Sequence, residues 1–161
     1  MAKHNQTEGD ICDVLLARFS PEQPLKKRKI ISTSEKGVCY KADVRPERET
    51  VVFQVDGCII KDGDKCDRLV LSRHATEENV WMGHFVELKG RHIGHAVEQL
   101  EQSLKHMVFS HKSLKEKYAR IVGRSFPSNV GDPLLERARV RFKVQYRCEL
   151  KCIKSNQPDC I

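Results

Sequence analysis

A mixed α/β domain, with a central mixed sheet flanked by helices, is the fold class the sequence predicts. Three observations predict it. Short blocks rich in β-branched and aromatic residues occur at 51–55 (VVFQV), 67–71 (DRLVL) and 80–89 (VWMGHFVELK). The apolar period then lengthens: Ile93, Ala96, Val97, Leu100, Leu104, Met107 and Val108 recur at helical spacing from His92 to about Phe109. A further strand-like and helix-like pair follows before the polar end of the chain.

The elements come in the order α, β, β, β, α, β, α, β. Residues 11–19 place Ile11, Val14, Leu15 and Phe19 on one side of a short amphipathic helix, which Ser20-Pro21 ends. Residues 25–31 carry Lys26-Lys27-Arg28-Lys29 and read as a solvated basic loop or as a phosphate-contacting patch. The three strand blocks, with short polar links, read as an antiparallel meander; residues 72–79 serve as the loop before the last of them. Residues 118–125 (YARIVGRS) read as a buried strand. Asp132-Pro133 opens a second long helix to about Tyr146, because Asp suits the N-cap and Pro the first turn. Residues 148–153 (CELKCI) close the pattern as a strand, and the tail from Lys154 reads as polar and loose. The β-α-β segment implies a parallel pair with a right-handed crossover and a sheet with helices on both faces.

The 161 residues fit a single domain spanning 1–161, with a core over about 10–153 and polar tails at both ends. Lysine and arginine number 29 against 22 acidic residues, a net charge of +7 that favours a polyanionic partner. No apolar run approaches the roughly 20 residues that span a bilayer, and residues 1–10 lack the apolar core of a signal peptide. The expectation is a cytoplasmic chain without a membrane partner. Seven cysteines, none in CxxC spacing, read as free thiols, with Cys148 and Cys152 the nearest approach to a zinc or redox pair.

Residues 85–89 read Phe-Val-Glu-Leu-Lys. On a strand, Glu87 and Lys89 share a face, about 7 Å apart at 3.3 Å per residue, while Val86 and Leu88 point the other way into the core. Asp67 opens the preceding strand and can supply a second carboxylate beside Glu87. Two carboxylates and an ammonium suit phosphodiester hydrolysis, which needs a metal on the phosphate, an activated water and a cation near the developing charge. On the following helix, His92, His95, Gln99, Gln102 and His106 form a polar stripe. His92 and His95, with Arg91, lie closest in sequence to Lys89 and are candidate phosphate contacts, as are Lys26, Lys27, Arg28 and Lys29.

An Asp at the start of one strand, Glu-x-Lys on the next and an amphipathic helix after it resemble the PD-(D/E)xK nuclease superfamily, which includes restriction enzymes, Holliday-junction resolvases and repair exonucleases. Its core order, α-β-β-β-α-β, matches the order read above over about residues 10–125. The resemblance implies a restriction-endonuclease-like fold, with Asp67, Glu87 and the Leu88 carbonyl as ligands of Mg²⁺ (or Mn²⁺). It implies Lys89 as the catalytic lysine and Gln99 as the helix glutamine near the metal. Asp13, Asp10 or Glu8 would supply a further acid from the first helix, and Asp56 is another candidate. Cys66 stands where the signature proline would be. The function implied is a metal-dependent nuclease acting on DNA in preference to RNA, as a homodimer or with a partner protein. The alternatives are a non-catalytic module on the same fold that binds nucleic acid or protein, and a cysteine-based zinc or redox protein.

Overall fold

The structure is a computed structural model that describes residues 9–88, 92–126 and 132–161. Within them run α1 (Ile11–Arg18), β1 (Gln23–Glu35), β2 (Val38–Gln54), β3 (Arg68–Arg73), β4 (Trp81–Glu87), α2 (Ile93–Leu104), β5 (Leu114–Gly123), α3 (Pro133–Tyr146), β6 (Cys148–Lys154) and β7 (Pro158–Cys160). The strands form one mixed sheet in the order β1-β2-β3-β4-β5-β6, with β7 pairing back on β2. Strands β1 to β4 are antiparallel neighbours, and β4, β5 and β6 are parallel. The expected mixed α/β class and the β4-α2-β5 unit are both present.

Local chemistry explains the helices. Asp10 and Asp13 form a reciprocal capping box at the start of α1. Asp132 caps α3 by accepting from the Leu134 N–H, with Pro133 in the first turn. The apolar stripe predicted to run to Phe109 breaks earlier: α2 ends at Leu104, and Met107–Ser110 form a separate 3₁₀ turn. That turn still buries Phe109, which packs edge-on against Phe85 with ring centroids 4.9 Å apart.

The helices do not flank both faces, contrary to the sequence expectation. The buried residues of α1, α2 and α3 join Phe53, Leu69, Phe85 and Ile121 in one cluster on one face of the sheet. The two parallel crossovers step the same way across the sheet, from β4 to β5 to β6, so right-handed connections place both helices on one side.

The other face is covered by the sheet itself. Strands β1 and β2 form a long hairpin through the Lys36–Gly37 turn, where both residues have positive φ (50° and 78°). Between Arg28 and Ile30 the pairing with β2 jumps from Arg48 to Asp43, a bulge that contains the cis Arg45–Pro46 peptide. Beyond it the first half of β2 lays Val38, Tyr40, Ala42 and Val44 over Val52, Val70, Val86 and Val122. So the residues read as a basic loop belong to a strand, because an edge strand carries its charges outward. The tail is not loose either: β6 extends to Lys154, and residues 41–43 of β2 pair with β7 in parallel.

A polar network lies inside this second layer. Arg120 Nε donates to Asp159 Oδ2 at 2.8 Å, and the Tyr40 hydroxyl donates to the same oxygen at 2.7 Å. Beside it, His84 stacks on Tyr118 with ring centroids 4.7 Å apart. His84 is 1% exposed. Burial, followed by the Arg120 guanidinium, pushes its pKa from 6.5 down to about 3, against weaker support from Asp159. In the unfolded chain it titrates near its ordinary value and so takes up a proton that the folded chain refuses. This site's stability is complete above pH 6.5 and drains as pH falls toward 3. Between pH 7 and pH 5, wild type is expected to lose about 2 kcal/mol more than His84→Phe, measured by urea unfolding. Equal losses would contradict a neutral buried His84.

Candidate functional site

The sheet brings Asp67 and Glu87 together. Glu87 is the last residue of β4 and is fully buried, on the side of the strand that Phe85 presents to the helices. Val86 and Leu88 join the opposite cluster, as the alternation of Glu87-Leu88-Lys89 requires. Asp67, 2% exposed, directly precedes the first residue of β3, Arg68, which pairs with Val86 of β4. Its N–H donates to the Val86 carbonyl at 3.0 Å, and its Oδ2 accepts from the Leu88 N–H at 2.8 Å. Asp67 thus bonds the residues on either side of Glu87, Val86 through its backbone N–H and Leu88 through its side chain.

Helix α2 fixes the segment that carries Asp67. Gln99 Nε2 donates to the Lys65 carbonyl at 3.3 Å, and Ser103 Oγ accepts from the Cys66 N–H at 2.8 Å while donating to the Gln99 carbonyl at 3.0 Å. Two consecutive residues ahead of Asp67 are therefore tied to one helix. Gln99 consequently has a positioning role alongside its place near the carboxylates. Ser103 escaped the sequence reading, because a lone serine on an apolar helix face carries no motif.

Cys66 reports the local field. Its thiol is pushed up to about 12, first by burial, with the Ser103 hydrogen bond opposing and the Glu87 and Asp67 carboxylates adding to the rise. This thiol is a buried apolar group, not a nucleophile. All seven cysteines are free.

Glu87 and Leu88 form the floor of a cleft of about 640 Å³. His92, His95 and Gln99 of the α2 end form one wall, and Lys36 from the hairpin tip with Arg124 and Ser125 beyond β5 form the other. Asp67 does not itself line the cleft; it bonds the Leu88 N–H next to the lining residue Glu87. Arg124 Nη2 donates to the Lys36 carbonyl at 3.4 Å and packs so closely on Gly37 that a Cβ there would meet it at 2.5 Å. Lys36 reaches the cleft only because the hairpin curls over the sheet. No acidic residue occupies the first turn of α2, so the partial positive charge of that helix end is undiminished beside the cleft. His95 Nδ1 lies 3.9 Å from Glu98.

Other expectations separate from this cleft. Lys89, Arg91 and Glu8 lie outside the described residues. Lys26, Lys27 and Lys29 are exposed on β1. Lys26 stands level with Thr50, Ser72 and Met82, five residues and about 17 Å along β4 from Glu87. The Arg28 guanidinium is turned to the main chain, donating to the Thr50 and Pro24 carbonyls, both at 2.7 Å. Asp10 and Asp13 are consumed in the α1 cap, and the Ile11 N–H bonds Ser113 Oγ at the start of β5, the far end from Glu87. Asp56 pairs with Lys65 at 3.6 Å.

The donor set can be weighed against a metal. Among the described residues, no group of three or more His, Cys, Asp or Glu side chains is placed to hold one. A zinc site built wholly from protein side chains would need such a group. Magnesium asks for less, one or two carboxylates with water and carbonyl oxygens. By donor chemistry, the Asp67 and Glu87 carboxylates and a main-chain carbonyl such as that of Leu88 are hard-oxygen groups of the kind Mg²⁺ takes.

Comparison with known proteins found no matching family model, no similar curated protein and no similar solved structure. No helix among the described residues is long and apolar enough to cross a membrane.

Proposed function

We propose that this chain is a metal-dependent phosphodiesterase that hydrolyses nucleic acid, DNA in preference to RNA. The observation that carries the reading is the juxtaposition of two buried carboxylates, Asp67 and Glu87, under a cleft whose rim is cationic. Burying a carboxylate costs several kcal/mol before compensation, so two side by side at a strand end ask for a functional reason. The order α1, β2, β3, β4, α2, β5 also supports the resemblance to the PD-(D/E)xK superfamily, with β1 added at the edge.

Bound at Asp67, Glu87 and the Leu88 carbonyl, Mg²⁺ or Mn²⁺ would neutralise the scissile phosphate and activate water. The chain's own groups do the rest. Lys36, Arg124 and the α2 end draw the phosphodiester into the cleft. Gln99 and Ser103 hold the Lys65–Asp67 segment against α2 and so keep the carboxylates in register. His92 and His95 line the path by which a proton reaches solvent. Lys89 is assigned from the sequence as the cation beside the developing charge. Cutting both strands of a duplex calls for two such sites, so a homodimer belongs to the proposal.

The test is cleavage of supercoiled, linear and single-stranded DNA and of RNA in Mg²⁺, Mn²⁺ or EDTA. Metal-dependent cleavage that also fails in Lys89→Ala supports the reading. Nucleic-acid binding without cleavage in any metal would favour the non-catalytic module.

A further inference from the structure

A second groove, of about 650 Å³, lies between the starts of β5 and β6 and the last turn of α3. It sits at the opposite end of the parallel strands from the carboxylate cleft. Lys117 pairs with Gly83, whereas Glu87 pairs with Ile121, so four residues or about 13 Å of strand separate the two levels.

The charges of this groove are unbalanced. Its two acids have partners of their own: Glu116 accepts from the Tyr118 hydroxyl of the same groove at 2.9 Å, and Glu149 lies 3.2 Å from Arg120 and 3.3 Å from Lys151. Of its cations, Lys115 pairs with Glu77 and Arg139 with Glu136. Lys117, Lys143 and Arg147 line the groove and pair with no acid among the described residues. Lys117 is also half-buried, and burial lowers its pKa from the ordinary lysine value. Five cations line the groove against two acids, three of the cations make no ion pair among the described residues, and one of those three is partly stripped of water. Anions in the groove would offset both the surplus charge and the lost hydration.

We propose that this groove is a docking site for the phosphate backbone of nucleic acid, separate from the carboxylate cleft. The backbone of a strand presents a charge about every 3.4 Å of axis, so several phosphates fall within one groove. An acidic peptide offers isolated, mobile carboxylates instead. The chain's net charge of +7 acts in the same direction. The groove stands independently of hydrolysis, and binding in EDTA reads it without cleavage.

The experiment is fluorescence anisotropy of a labelled random-sequence 20-base-pair duplex with the full chain in EDTA, titrated from low to moderate KCl. The triple variant Lys117→Gln, Lys143→Gln, Arg147→Gln is expected to bind at least ten-fold more weakly at low salt. Its log–log salt slope should flatten by up to about 3, since each phosphate left without its cation lowers the slope by about 0.9. A control with the same charge loss scattered over the exposed positions Arg18, Lys61 and Lys154 should change the slope far less. Melting is followed in parallel; if the triple variant fails to fold, Lys117→Gln and Lys143→Gln singly should each flatten the slope by about 0.9. An unchanged slope and affinity, a scattered control that behaves like the groove variant, or no duplex binding by wild type would overturn the proposal. So would displacement of the duplex by polyglutamate as readily as by unlabelled DNA. Failure of the nuclease reading leaves a different signature, absent cleavage with the groove's salt effect intact.

Discussion

Glu87→Gln and Asp67→Asn are each expected to reduce Mg²⁺-dependent cleavage by roughly 10³-fold or more. Metal bound to the phosphate supplies several kcal/mol of charge stabilisation in the transition state, and each 1.36 kcal/mol is worth a factor of about ten. Both substitutions keep side-chain volume, so the packing around β4 and the Lys65–Asp67 segment is conserved. In Asp67→Asn the amide oxygen can still accept from the Leu88 N–H, the bond made at 2.8 Å in the native chain. What each variant loses is charge. A readout other than activity separates a metal site from a structural pair. At a ten-fold excess over its dissociation constant, a metal that binds only the folded chain stabilises it by about 1.4 kcal/mol, a rise of roughly 3–6 °C in Tm. Wild type should show that rise with Mg²⁺ or Mn²⁺, and both variants should lose most of it. Duplex binding in EDTA should survive in both. Wild-type cleavage that persists in either variant, or an equal metal-induced rise in all three proteins, would remove Asp67 and Glu87 from the metal role.

The parts of this site that were legible in the sequence are the local ones. Glu87-Leu88-Lys89 sits at the end of an apolar block, and strand alternation alone sends Glu87 and Leu88 to opposite faces, as the two clusters have it. The break in period after Gly90 announces α2, and Asp132-Pro133 announces α3 because capping is a short-range interaction. The first half of β2 was also written in the sequence. Val38, Tyr40, Ala42 and Val44 alternate in a clean period of two after the Lys36–Gly37 turn. The polar run from Arg45 to Glu49 interrupts that pattern and hides a strand of 17 residues. Strand β1 was masked for a related reason: an edge strand can be heavily charged and remain a strand, since only one of its sides pairs. The contribution of Lys36 to the cationic wall of the cleft was not legible. Lys36 is 51 positions from Glu87 in sequence, and only the curl of the hairpin over the sheet brings it to the same cleft. Strand β7 is equally opaque, since three residues carry no periodicity and their partner lies over 100 positions away.

That short strand leads to the second large effect, which is on stability. Asp159→Ala is expected to destabilise the fold by about 3–5 kcal/mol, a fall in Tm of roughly 10 °C. The Asp159 and Arg120 side chains are only 7% and 3% exposed, so the Arg120 charge is not solvated once its partner is removed. Arg120 would keep its bonds to the Ala119 and Glu149 carbonyls and its ion pair with Glu149, but that carboxylate is half-exposed and a poor substitute. The Tyr40 hydroxyl, which donates to Asp159 at 2.7 Å, would be left buried without an acceptor. These three residues come from β2, β5 and β7, so the network clamps the curled hairpin to the parallel part of the sheet. The loss should therefore be larger than the burial of Asp159 alone suggests. It should be partly relieved in the double variant Arg120→Met, Asp159→Ala, which removes the uncompensated charge while the Tyr40 hydroxyl still lacks its carboxylate acceptor. Urea unfolding of the two variants beside wild type decides it. A loss below about 1 kcal/mol in Asp159→Ala would mean that β7 decorates the hairpin and does not brace it. Because the same hairpin carries Lys36 to the cleft, the destabilised variant should also bind duplex DNA more weakly than wild type while still folded. That links the polar core of one sheet face to the cationic rim above the carboxylates on the other.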